Sequence, residues 1–146
     1  RALRKRLDAM LADIPGDALI DSPPGVSCPA MTVGLDADAV LLVAEPTPFG
    51  FHDFRLAHQA FRQLGKPVAV VMNRAAMPDN AEGDERLRAY CAENGLPLLG
   101  ELPFDRAAAE HYAKGHLIAS ASLEWRARFE TLRAAVQTFA EGAGHA

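Results

Sequence analysis

The chain is short of cysteine, of basic charge and of long apolar runs, and each shortage excludes something. Cys28 and Cys91 are the only two cysteines in 146 residues. They lie far apart and outside any CxxC pair. That is too little for a disulfide framework or a self-contained iron–sulfur cluster, and it suits a reducing, cytoplasmic setting. The net charge is -4, from 15 Lys and Arg against 19 Asp and Glu. Nothing here forms the basic stripe of a nucleic-acid binder, so nucleic acid is not an expected partner. The one dense basic run, Arg4-Lys5-Arg6, reads as the solvated face of a helix. No apolar run approaches the ~20 residues that span a bilayer, so no integral membrane segment is expected. No signal-peptide pattern opens the chain, and its first residue is Arg1 rather than Met, as a processed or truncated start would give.

What is present is an ordinary folding composition, 49% apolar and 23% charged, long enough for one domain with a real core. Leu3, Leu7, Met10, Leu11 and Ile14 recur at helical spacing until Pro15-Gly16 stops them. Residues 18–20 then read as a short strand. Residues 39–44 (AVLLVA) and 68–72 (VAVVM) are apolar throughout, as parallel strands covered on both faces are. Residues 98–102 make a fourth strand. Between them, Phe51, Phe54, Ala57, His58, Phe61 and Leu64 mark one helix face, closed by Gly65. A further helix carries Leu87, Tyr90 and Cys91 and is capped by Asn94-Gly95. Asp105 can N-cap the next helix, which Gly115 closes. Trp125, Phe129, Leu132, Val136 and Phe139 define a long final helix, and residues 141–146 read as a flexible Gly- and Ala-rich tail. Alternating helices and buried strands predict an α/β fold: a mainly parallel sheet of about four strands, with helices on both faces.

In such sheets ligands gather at the carboxyl ends of strands. Four stretches qualify: residues 21–25, 45–50, 73–74 and 103–105. Asp21, fixed at a strand terminus, is suited to hold a hydrated Mg²⁺ beside a triphosphate. Gly25 would let its backbone N–H approach a terminal phosphate closely. Pro23-Pro24 stiffens the loop between them. Taken alone, the same DSPPG is equally a plain strand-to-turn transition. Asn73 offers one donor and one acceptor, which matches an aminopurine edge, or it simply ends its strand in a turn.

Read together, these stretches resemble the MinD/ParA/Mrp-type P-loop ATPases. IDSPPG looks like their Walker B and switch II segment, and VLLVAEPTPFGFHDF like the next strand and loop. VAVVMNR resembles the strand that ends on an adenine-contacting Asn. GLPLLGELPFDRAAAEHYAKG is similar to their closing strand with its Pro-x-Asp loop. SPPGVSCP together with EPTPFGFHD looks most like the subgroup with an inserted ferredoxin domain carrying two [4Fe-4S] clusters. The resemblance implies roles residue by residue. Asp21 would be the Walker B acid near Mg²⁺ and Gly25 the switch II glycine near the γ-phosphate. Ser22 and Pro24 would complete that nucleotide-facing loop. Asn73 would read adenine with Arg74 beside it, and Pro103 and Asp105 would sit against adenine or ribose.

One departure limits the resemblance. The family grips phosphate with a Gly-rich loop carrying Lys and Ser/Thr, and no G-x-x-x-x-G-K-[ST] occurs here; Gly65-Lys66 ends a helix and runs into Pro67. Residues 1–140 therefore read as the C-terminal half of a MinD-like nucleotide-binding domain, inactive alone. ATP and Mg²⁺ would belong to the complete protein, and any 4Fe-4S clusters to the missing N-terminal part. The family places its P-loop strand beside the Walker B strand, so its absence should leave backbone that seeks a partner. The expected partner is the missing N-terminal half or a second copy, by strand pairing or swapping in a homodimer. Direct pairing of residues 18–20 with 39–44 is the other expectation. The alternative function is a non-catalytic α/β interaction or dimerisation module. Cobyrinate- or dethiobiotin-synthase-like ligases share the superfamily, but no matching substrate motif is visible.

Other residues carry less. Cys28 follows the switch-like loop, where nitrogenase iron protein has a cluster ligand, but a packed or weakly reactive thiol is the simpler reading. His52 and His58 fall on different sides of one helix and do not face one metal. Asp53 complements that helix's dipole. His111 and His116 form no recognised ligand pair. Glu45 is either a contact to a partner or nucleotide, or a solvated loop acid.

Overall fold

The computed structural model describes residues 9, 11 and 16–143. Most of the first expected helix, the Arg4-Lys5-Arg6 run and residues 144–146 lie outside them. The described elements run α1 (Cys28–Asp36), β1 (Val40–Ala44), α2 (Pro48–Arg62), β2 (Val68–Ala75), α3 (Ala81–Glu93), β3 (Leu98–Pro103), α4 (Arg106–Ala113), α5 (Ile118–Ala121) and α6 (Leu123–Ala143). The strands form one parallel sheet in the order β1-β2-β3, flanked by helices. The fold is thus α/β, with three strands among the described residues where about four were expected.

The correction concerns residues 18–20. They are not a strand but an exposed, irregular segment, with Leu19 90% exposed. An apolar tripeptide becomes a strand only when a neighbour satisfies its backbone, and β1 pairs with β2 alone. Nor do residues 18–20 pair directly with β1. The outer edge of β1 thus has no ladder neighbour among the described residues.

Alternation along β1 shows the same incompleteness. Leu42 and Ala44 are buried, whereas Val43, on the opposite face, is 65% exposed. On β2, by contrast, Ala69, Val70, Val71 and Met72 are all buried. The main core lies on one face, where Leu42, Ala44, Val70 and Met72 meet Phe54 and Phe61 of α2 and Leu87 and Cys91 of α3. Burial pushes the Cys91 thiol up to about 11, so it is an inert apolar filler; Cys28 is exposed. A smaller core joins Ala108, Ile118 and Trp125 to Leu102 and Phe129 and seats α6 on β3.

Caps fix the starts of two helices, one of which, at Asp105, the sequence predicts. Thr47 accepts from the Gly50 N–H, with Pro48 in the first turn of α2. Asp105 caps α4 through the Ala107 and Ala108 amides. α6 continues through residues 141–143, the first half of the expected tail. Missing from the sequence reading was α1. Its signal was there, Ser27 at the N-cap and Pro29 in the first turn, a placement that suits Pro because its missing N–H is not needed there.

Candidate functional site

The carboxyl ends of β1, β2 and β3 lie at one end of the parallel sheet, and Asn73, Arg74 and Pro103 are brought together there. Asn73 stands opposite Leu102, and Ala75 opposite Pro103. Arg74 is therefore the extra residue of a β-bulge, a device that bends a strand and re-aims its side chains. Arg74 takes φ +60°, and Ala76 and Asp79 follow at +55° and +60°. Left-handed backbone is costly for residues with a Cβ, and three such residues in one turn mark a loop held by its surroundings. The Phe104 N–H donates to Ala75 O at 2.6 Å, which ties the end of β2 to the segment that follows β3.

From the bulge, the Arg74 guanidinium reaches Glu45 at 3.2 Å and lies over the Phe104 ring, 5.6 Å from its centroid. Glu45 follows β1, Arg74 sits on β2 and Phe104 follows β3, so this chain of contacts spans all three strand ends. Asn80 donates to the Pro46 carbonyl at 2.9 Å. Gly83 packs so closely there that an added Cβ would collide with the Pro46 carbonyl oxygen. The loops after β1 and β2 are therefore locked to each other.

Asp105 has a different part from the one expected. Its Oδ1 accepts from the Ala107 and Ala108 amides at 2.8 and 3.3 Å, and its Oδ2 accepts the Trp125 indole N–H at 2.7 Å. The Trp125 bond, then the two helix amides, hold the carboxyl below the usual aspartate range. Both oxygens are engaged in anchoring α4 and α6. Asn73 and Pro103 are half-buried and Arg74 is exposed.

None of these contacts involves the Asp21 loop. Asp21, Pro24 and Gly25 are exposed and Ser22 is half-buried. Gly25 adopts φ +77°, the left-handed conformation that glycine permits at little cost. Pro24, Gly25 and Val26 face Asp53 and Leu56 of α2 across an open hollow of ≈ 350 Å³. Among the described residues no group of three or more His, Cys, Asp or Glu gathers to hold an ion. A lone Asp still fits the Mg²⁺ of a nucleotide site, since that ion takes one or two carboxylates and draws its other ligands from phosphate and water.

Of the histidines, His58 serves packing, whereas His52 and His116 are exposed. His58 is buried, with Nδ1 2.9 Å from the Tyr90 hydroxyl, and burial, helped by Arg62, lowers its pKa. The His111 and His116 rings lie 6.4 Å apart. Sequence reasoning missed Asp84, a buried acid in the first turn of α3. Its Oδ2 accepts the Ala76 N–H at 2.7 Å.

No family model matches the chain. It is similar to an uncharacterized protein of Methanocaldococcus jannaschii, 29% identical over 97 residues, which cover 66% of this chain and 31% of the relative. The chain thus corresponds to about a third of that relative's length.

Proposed function

We propose that this chain is a segment of a MinD-like ATP-binding and -hydrolysing protein, contributing the switch II loop and the adenine side of the site. The observation that carries the reading is the convergence of Asn73, Arg74 and Pro103 at adjacent ends of parallel strands, where the sequence motifs put the base. Asp21, Ser22, Pro24 and Gly25 would face Mg²⁺ and the γ-phosphate. Asp105, with both oxygens committed to helix anchoring, would shape the base slot rather than bind in it. The nucleotide cycle would drive a partner or an iron–sulfur redox event, with any 4Fe-4S clusters held outside this segment.

The bare edge of β1 and the exposed Val43 support completion by further polypeptide. A second copy that added only a strand would cover the edge and leave the Val43 face open. A strand followed by a helix, as in a missing N-terminal half, would cover both. The test is a longer chain that supplies a Gly-rich phosphate loop ahead of these residues. It should hydrolyse Mg²⁺-ATP, and Asp21→Asn should lower kcat by about 10²-fold or more, as expected on losing an electrostatic contact to the transferring phosphoryl group. Hydrolysis untouched by that substitution would overturn the assignment of Asp21.

The alternative is a non-catalytic α/β interaction or dimerisation module. It is favoured by the exposed apolar residues Leu19, Ile20 and Val26, which suit a docking surface better than a catalytic loop. Concentration-dependent dimers of this chain, with no gain of nucleotide binding in the longer protein, would favour it.

A further inference from the structure

Asp84 is odd on chemical grounds. It is 5% exposed, its Oδ2 accepts the Ala76 N–H at 2.7 Å, and its Oδ1 is buried with no hydrogen-bond partner. A half-satisfied buried carboxylate is costly, so the one bond it makes has to matter. That bond falls on the backbone of Ala76, between Arg74 and Asp79, inside the run of three non-glycine residues at positive φ. Arg and Ala have no intrinsic liking for this conformation. Asn80 and Gly83 pin the far side of the same loop onto Pro46; directly behind the bulge the turn is gripped by the Phe104 N–H, which donates to Ala75 O, and, from a side chain, by Asp84.

We propose that Asp84 is a positioning residue for base recognition: its carboxylate holds the Ala76 N–H, fixes the Arg74 bulge, and so aims Asn73 at a purine edge. This rests on the adenine-side reading above. The role belongs to the acceptor oxygen, so Asn at position 84 preserves it and Ala does not. Fixing a strained turn costs stability and returns geometry, which is the usual bargain at a recognition site.

The experiment is NMR of this chain titrated with AMP and, separately, GMP. In the parent chain the Ala76 amide is shifted downfield and slow to exchange, and Arg74 shows the couplings and carbon shifts of positive φ. AMP perturbs Asn73 and Pro103 at lower concentration than GMP, by about fivefold, the discrimination of one net hydrogen bond. Asp84→Ala abolishes the Arg74 signature and brings the two nucleotides within about twofold, while Asp84→Asn retains both. A loss of packing alone would weaken AMP and GMP equally. The inference is overturned if Asp84→Ala keeps the Arg74 signature, or if Asp84→Asn behaves like Ala. Should Asp84→Ala not fold, an unprotected Ala76 amide in the parent chain overturns it equally. If neither nucleotide perturbs Asn73 while the Arg74 signature follows Asp84, the base-recognition reading fails and the local lock stands.

Discussion

The two margins of the sheet finish differently. At β3, which also lacks a second ladder neighbour among the described residues, the margin is braced by side chains: α6 packs on the strand, Arg88 clasps Glu101 with two bonds of 2.8 and 2.7 Å, and Asp105 ties α4 to Trp125. At β1 it is bare. The strand is VLLVA, without the charge, proline or bulge that native edges use to discourage pairing, and the segment before α1 exposes Leu19 and Ile20. Among the described residues, this margin has the composition of sheet interior and no ladder neighbour on its outer side.

Mutations can break or sharpen this contrast. Leu87, wholly buried beneath β2, should cost about 2–5 kcal/mol as Leu87→Ala in denaturant unfolding. Leu19→Ala should stay within about 0.5 kcal/mol. A large penalty at Leu19 would mean that the bare margin is covered in solution. Next in size, Gly83→Ala should cost about 1–3 kcal/mol, because its methyl drives α3 away from Pro46. It should also shift the amide resonances of the β1 and β2 loops together, leaving those of α6 in place.

The pH dependence follows from His58. Its native pKa lies below the unfolded value because burial, helped by Arg62, disfavours the charged form. Stability should therefore be fully present above the ordinary histidine pKa and fall as pH drops through the lower native value, since the unfolded chain takes up the proton first. His58→Phe should flatten that part of the stability–pH curve, as followed by thermal melting. The smallest effect is expected at the exposed Glu45–Arg74 pair. Glu45→Gln should change stability by less than about 0.5 kcal/mol, and a larger loss would show that the pair braces the strand ends.

β1 and β2 were legible because each carries a continuous apolar run whose burial needs no distant information, whereas β3 (LLGELP) is broken by Gly100 and Glu101 and shows only its leucines. Residues 18–20 look like β1 and β2 on paper but stayed irregular, since a strand also needs a neighbour, and that is a property of the assembly. The Asp105 cap was readable from position alone, whereas its bond to Trp125, twenty residues on, was not. The bulge left no trace because Arg74 and Ala76 are not residues that announce a left-handed turn. Asp84 passed for an ordinary acid in a helix's first turn, and only tertiary packing sets it behind the turn that follows β2.

The Asp105–Trp125 bond also decides what can be seen by eye of a fluorimeter. Trp125 is the sole tryptophan, and its indole is held in the braced corner. Intrinsic emission therefore reports the melting of that corner and is blind to the exposed segment at the other margin. Circular dichroism averages over every helix, so a curve that departs from the emission curve would expose α1 and α2 loosening first, before the light from Trp125 changes.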